Sequence, residues 1–272
     1  MARTFVVGGL RFHVEDEGEG RPVLLLHGFP DTARLWRHQI AALTAAGHRC
    51  IAPDLRGRGR TESPPNVGDY ALAHMVADVT GILDQVGIER ADLVGHDWGA
   101  ALAWLVASLA PDRVDRLVVL SVGFPGAAGR PKFEALQKAW YRILIQFEGV
   151  AEELFQKDDF YLLRELLRGQ GDADEYIANL ADRAALTAGF NWYRANLPVE
   201  RLLAPAPDLP SVKADTLAIF GTRDDYVAEA SVTASQAKVQ GRWRYEPFEG
   251  VGHWIPLEAT ERLNALLVDF LA

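Results

Sequence analysis

The stretch Leu93-Val94-Gly95-His96-Asp97-Trp98-Gly99 decides how this chain folds. The apolar run Ala91 to Val94 reads as a buried strand, and Ala100 to Leu109 reads as a helix. Between them lies a Gly-x-nucleophile-x-Gly turn, in which Gly95 and Gly99 let strand and helix approach where side chains would collide. Residue 97 is thereby exposed at the carboxyl edge of a sheet. Most turns of this kind carry serine at that position, and this one carries a carboxylate. A carboxylate attacks carbon directly and forms an alkyl ester, whereas it cannot form the acyl-enzyme of an esterase.

Outward from the turn, strand-like apolar runs alternate with amphipathic helical ones. That alternation predicts an α/β fold with a mostly parallel sheet covered by helices on both faces. Thr4 to Val14, with Gly8-Gly9 at its centre, reads as a hairpin. Strands are expected at Val23 to Leu26, Arg49 to Pro53, Asp92 to Val94, Arg116 to Val122, Thr216 to Phe220 and Trp243 to Phe248. Helices are expected at Trp36 to Ala46, His74 to Val86, Ala100 to Leu109 and Leu257 to Leu271. The alternation breaks once, because Phe124 to Leu209 carries helical patterns only and ends in the Pro-rich return Ala204 to Pro210. The expected division is therefore a core at 1–123, a helical insert at 124–210 and the remaining core at 211–272.

With 272 residues, 49% of them hydrophobic, the chain can bury one large core plus a small insert. A net charge of −9 argues against binding a phosphate backbone, so no nucleic-acid partner is expected. The single cysteine, Cys50, excludes an internal disulfide and reads as a buried structural thiol. The start Met1-Ala2-Arg3-Thr4-Phe5 lacks the basic and apolar regions of a signal peptide. No stretch approaches the roughly 18 consecutive apolar residues of a membrane span. These readings predict a soluble cytoplasmic protein without a membrane partner, and they leave a homodimer open.

A carboxylate nucleophile needs a base to break its ester, an acid to orient that base, and donors for the oxyanion. His253 lies in the Gly-rich segment Glu249 to Trp254, between the last strand and the last helix, and is the expected base. Asp224, three residues after Gly221, is the favoured orienting acid, and its neighbour Asp225 is the alternative. The order nucleophile, acid, histidine suits such a scaffold. The remaining histidines, His13, His27, His38, His48, His74 and His96, are expected to be structural or exposed. The amides of Trp98 and of Phe29, in His27-Gly28-Phe29-Pro30, are the expected oxyanion donors. Phe124 and Trp254 are the expected pocket aromatics. No metal or organic cofactor is called for.

These motifs, together with Asp54-Leu55-Arg56-Gly57-Arg58-Gly59, resemble the α/β-hydrolase superfamily over nearly the whole chain. The likeness is to its aspartate-nucleophile branch of epoxide hydrolases and dehalogenases. The insert resembles the cap of soluble epoxide hydrolases, which use two cap tyrosines to bind and protonate the epoxide oxygen. One lies in an Asn-Trp-Tyr-Arg motif, present as Asn191-Trp192-Tyr193-Arg194, which implies that role for Tyr193. The other lies eight residues before a Gly-Val-Ala-Glu segment, here Gly149 to Glu152, which implies the same role for Tyr141. The resemblance thus implies hydrolysis of an epoxide by water to a vicinal diol, and the apolar groups Phe29, Trp98, Phe124 and Trp254 suggest a lipophilic substrate.

The chain departs from some relatives in carrying Gln146-Phe147-Glu148 before Gly149, which bears on pocket shape. Two other readings make different demands on the sequence. A haloalkane dehalogenase would want a halide-binding Asn where Phe29 stands, and a haloacid dehalogenase would want arginines just after the nucleophile, where Trp98 to Leu102 has none. A ligand-binding protein on a hydrolase scaffold would be expected to have lost a catalytic group.

Overall fold

The computed structural model describes residues 2–201, 204 and 207–272. Eight strands form one sheet: β1 (Ala2–Val7), β2 (Leu10–Glu17), β3 (Arg21–Leu26), β4 (His48–Pro53), β5 (Ala91–His96), β6 (Val114–Leu120), β7 (Asp215–Gly221) and β8 (Trp243–Phe248). Their order is β1-β2-β4-β3-β5-β6-β7-β8. β2 is antiparallel to both neighbours, and every other pairing is parallel. The expected hairpin is β1–β2, with Val7 opposite Leu10 across Gly8-Gly9. The central strands are apolar nearly throughout because helices cover both faces; all six residues of β5 are buried.

The helices are α1 (Arg37–Ala45), α2 (Leu72–Gln85), α3 (Trp98–Leu109), α4 (Phe133–Lys138), α5 (Trp140–Ile145), α6 (Val150–Leu167), α7 (Ala173–Leu180), α8 (Arg183–Asn196), α9 (Glu229–Thr233), α10 (Ile255–Glu258) and α11 (Thr260–Leu271). α4 to α8 all fall between β6 and β7, in the segment without strand patterns. α6 is broken at Lys157–Phe160, where the backbone leaves helical geometry. The Pro-rich return contains Pro205 and Ala206, which lie outside the described residues. Among the described residues no helix is long and apolar enough to cross a membrane.

Several element boundaries differ from expectation, for identifiable reasons. β5 runs to His96 and α3 starts at Trp98, so residue 97 alone makes the turn. A Cβ at Gly95 would stand 2.3 Å from the Gly99 carbonyl oxygen, and one at Gly99 would stand 2.0 Å from that of Leu26. Only glycines allow strand and helix to continue so close to the corner. α2 starts two residues early, at Leu72, whose amide donates to Asn196 Oδ1 at 2.8 Å and is thereby tied to the inserted helices. The last expected helix is split at Ala259 into α10 and α11. The Glu258 carboxylate just before that break turns back onto the loop that carries His253.

Candidate active site

Asp97 has φ 54° and ψ −120°, a region that side-chain-bearing residues rarely adopt. Such a backbone costs about 1–3 kcal/mol and persists only where the surroundings impose it. Here β5, α3 and the two close-packed glycines impose it. Asp97 Oδ1 accepts the Phe29 amide at 3.0 Å, and the Trp98 amide supports the same carboxylate. A Cβ at Gly28 would lie 2.3 Å from Asp97 Oδ1, so glycine is required for this approach. His27 fixes the segment from behind. Its Nε2 accepts the Leu55 amide at 2.9 Å, which leaves Nδ1 to donate to the Gly28 carbonyl at 2.8 Å. Burial pushes the His27 imidazole down to about 4, so it stays neutral in this role.

His253 Nδ1 lies 2.6 Å from Asp224 Oδ2, and its Nε2 lies 3.7 Å from Asp97 Oδ2. Asp224 is turned to the imidazole because its other oxygen accepts the amides of Tyr226 at 2.7 Å and Val227 at 2.9 Å. Asp225 faces elsewhere, paired with Arg168 at 3.1 Å and accepting from Gln170 Nε2 at 3.2 Å. Burial would lower the His253 imidazole, but Asp224 and Asp97 override it and hold the group well above its usual range. For both carboxylates burial alone would raise the pKa, and the charge and hydrogen bonding of His253 bring it below the ordinary value. The two carboxylates thus favour the imidazolium form of His253, and the imidazole favours their ionised form. Of the other histidines, His13, His48 and His96 are buried like His27, while His38 and His74 are exposed.

Tyr141 on α5 and Tyr193 on α8 meet above this group, with ring centroids 5.9 Å apart and planes at 76°. Tyr193 also packs edge-on against Phe29 at 5.6 Å and Trp98 at 5.1 Å. Burial is the largest cause of its phenol lying well above the usual tyrosine value, so the hydroxyl keeps its proton. The sequence motifs that flank the two tyrosines join each other directly. Arg194 donates to Glu152 through Nη1 at 2.7 Å and Nη2 at 3.0 Å, and to the Ile145 carbonyl through Nε at 3.0 Å. Glu152 also accepts the Gly149 amide at 2.8 Å and the Thr187 hydroxyl at 3.0 Å. One buried ion pair therefore locks α5, α6 and α8 together and sets where both phenols point.

Removing Glu152 would leave the Arg194 guanidinium buried without its partner. We expect Glu152→Ala to lose about 3–5 kcal/mol of stability in urea denaturation. A loss below about 1 kcal/mol would show that the pair does not hold these helices. Burial would raise the Glu152 carboxyl, yet Arg194 keeps it below the ordinary 4.5. The pair's contribution is thus complete above that value and disappears as pH falls through the depressed folded value.

Asp97, His253, Tyr141, Tyr193 and Trp254 line one pocket together with Phe155, Leu163 and Leu166. Trp254 Nε1 donates to the buried Asp31 Oδ2 at 3.0 Å, and burial pushes the Asp31 carboxyl up to about 7. Phe124, expected beside Trp254, instead lines a second cleft that also reaches Asp97, and its ring packs against Trp104 at 5.6 Å.

Residues 21–167 match the family described as the alpha/beta hydrolase fold. The chain belongs to that family. This hydrolase is 31% identical to Epoxide hydrolase A of Mycobacterium tuberculosis (strain ATCC 25618 / H37Rv), over 99% of this chain and 96% of that protein. It is 34% identical to Epoxide hydrolase 1 of Siraitia grosvenorii, over 98% and 97%. The crystal structure of Epoxide Hydrolase A from Mycobacterium thermoresistibile superposes with a TM-score of 0.82 at 30% identity, covering 100% of this chain and 98% of that one.

Other residues of this hydrolase that shape the site carry no motif. Glu258 accepts the amides of Gly252 at 2.9 Å and Trp254 at 3.0 Å, and Gln170 Oε1 accepts the amide of His253 itself at 3.0 Å. Three consecutive amides of the histidine loop are thus held by side chains from outside it. Tyr226 stacks its ring within 5.0 Å of His253 and 6.1 Å of Tyr141, and its hydroxyl donates to the Leu166 carbonyl. Gln170 and Leu166 belong to the inserted segment, so these contacts tie it to the core. The one sequence signal for Tyr226 is its place two residues after Asp224.

Proposed function

We propose that this hydrolase opens lipophilic epoxides to vicinal diols through an ester of Asp97, with residues 124–210 acting as a cap over the core formed by 1–123 and 211–272. The observation that carries this reading is the placement of two phenols, Tyr141 and Tyr193, in one pocket with Asp97 and His253. An epoxide oxygen leaves as an alkoxide, which needs hydrogen bonds and a proton. A halide needs neither, so the dehalogenase alternative leaves both phenols without a role.

In the first step Asp97 Oδ2 attacks a ring carbon and the carbon–oxygen bond of the epoxide breaks. The released oxygen is hydrogen-bonded by both phenols and takes a proton from one of them. Oδ1 stays on the amides of Phe29 and Trp98. Once Asp97 is esterified its charge is gone, and one of the two carboxylates that held the His253 proton no longer does so. The imidazolium then gives up its proton, which restores the phenol that lost one in the first step, and the neutral imidazole becomes a base for water. Water adds to the carboxyl carbon of the ester, His253 Nε2 takes the proton, and the Phe29 and Trp98 amides hold the oxyanion. Collapse of the adduct breaks the bond between that carbon and Oδ2. The departing Oδ2 takes the remaining water proton from the new hydroxyl of the adduct, so the diol leaves neutral and Asp97 keeps the oxygen from water as a carboxylate.

The oxygen balance supplies a direct test. A single turnover in ¹⁸O-water, with enzyme in excess, should give mostly unlabelled diol and place the label in the Asp97 carboxylate. Fully labelled diol in the first turnover would mean direct attack of water on the epoxide, and the ester mechanism would be wrong.

A further inference from the structure

Arg142 follows Tyr141 on α5 and has no carboxylate partner among the described residues. Its Nε donates to the Tyr141 hydroxyl at 3.4 Å, and its guanidinium lies 5.8 Å from the centre of that ring. Among the described residues no hydrogen bond engages its two terminal nitrogens. In the same helical segment Arg194, Arg164 and Arg168 each have an acidic partner, and the arginines without one, Arg130, Arg183 and Arg201, are exposed. Half-buried, Arg142 stands where two clefts meet. One is lined by Phe124, Pro125 and Ala139 together with Trp98 and Asp97. The other is lined by Leu136, Ile143, Leu197 and Val199. Among the described residues Asp97 is the only carboxylate lining either one.

A guanidinium that faces an apolar passage, with Asp97 acting on it only through space, is left poorly paired unless something negative comes to it. Its planar fork matches a carboxylate in particular. The position also sets a distance, because Nε already touches the phenol that would hold the epoxide oxygen. A carboxylate on the terminal nitrogens would then sit only a few bonds from the ring. The pocket lined by Phe155, Leu163 and Leu166 also holds Asp97, His253 and the two phenols, and its remaining walls are mostly apolar with no cationic side chain of Arg or Lys. Resting on the epoxide reading above, we propose that Arg142 anchors a substrate carboxylate, and that the preferred substrates are two-armed epoxides with an apolar arm on one ring carbon and a carboxylate close to the other. The product of such a substrate is a vicinal dihydroxy acid.

The test compares trans-3-phenylglycidate with its neutral counterpart trans-3-phenylglycidol. Wild-type enzyme should favour the acid, and Arg142→Gln should lower the ratio of kcat/KM for acid over alcohol by about 10- to 100-fold, the range for a hydrogen-bonded charge. Arg142→Lys should recover part of the ratio. Should Arg142 act on the Tyr141 phenol instead, both substrates would lose alike and the ratio would stay, which overturns the proposal. Absence of any acid preference in the wild type overturns it equally. Calorimetric binding of 3-phenylpropanoate against 3-phenylpropan-1-ol reads the same subsite without turnover. Wild type should bind the acid at least tenfold tighter, and Arg142→Gln should lose that margin. A carboxylate preference in calorimetry with no turnover of either epoxide would retain the subsite and refute the epoxide reading. Turnover of both epoxides with an unchanged ratio would do the reverse.

Discussion

Replacing His253 with Gln should stop this enzyme after its first chemical step, with one substrate molecule attached to Asp97. In the proposed mechanism the alkylation draws on Asp97 and the two phenols, and the imidazole acts only on the water that follows. Glutamine keeps roughly the size of the side chain and a polar end near Asp224, but cannot take a proton from water. Loss of a general base is worth about 10²- to 10⁴-fold, so turnover should fall by at least that range while the ester accumulates. Intact-protein mass spectrometry should show a gain of one substrate mass, and peptide mapping should place it on the segment containing Asp97. An adduct on any other residue would refute the nucleophile assignment. The environment of the site supports this order of events. Its paired charges hold the His253 proton in the resting enzyme, and esterification removes one of those charges.

Replacing Tyr193 with Phe should act on the opposite step. One well-placed donor to a leaving oxygen is worth about 3–4 kcal/mol, so alkylation should slow by roughly a hundredfold or more. Tyr141→Phe should be similar or somewhat milder, because Tyr193 is the phenol packed against both Phe29 and Trp98. The double variant should be nearly inert towards epoxides while remaining folded, since phenyl rings keep the edge-on contacts. Stopped-flow measurement of alkylation with an epoxide and a bromoalkane separates the possible leaving groups. Wild-type epoxide opening by the double variant would show that the phenols do not serve the leaving oxygen.

The local geometry of the elbow was legible from seven residues. Gly95, Asp97 and Gly99 specify a corner that only glycines permit, and such short-range constraints need no distant partner. The apolar runs of β3, β5, β6 and β7 were equally plain, because strands covered on both faces must be apolar along their whole length. The absence of strand patterns from Phe124 to Leu209 revealed the inserted helices for the same reason. Both tyrosines could be singled out through resemblance, yet nothing in the sequence explained why Asn-Trp-Tyr-Arg and Gly-Val-Ala-Glu should occur together. The Arg194–Glu152 pair explains it, across 42 residues of chain.

What only the tertiary structure decided were the choices between residues alike in type and position. Asp224 and Asp225 are adjacent carboxylates, and spacing alone favours one only weakly. The amides of Tyr226 and Val227 turn the first towards His253, while Arg168 and Gln170 draw the second away. Phe124 and Trp254 are both aromatic residues in segments that follow strands, but they line different pockets that share Asp97. Glu258 and Gln170 look like ordinary surface polar residues until the loop they hold is seen. The significance of Arg142 likewise depends on which carboxylates fail to reach it. The sequence by itself determined the elbow, the sheet and the chemical type of the nucleophile, because period, turn sterics and residue type are local properties. Orientation, pairing and which wall of the pocket a side chain lines were settled by contacts between segments far apart in the chain, whose geometry exists only once the sheet and the inserted helices have packed.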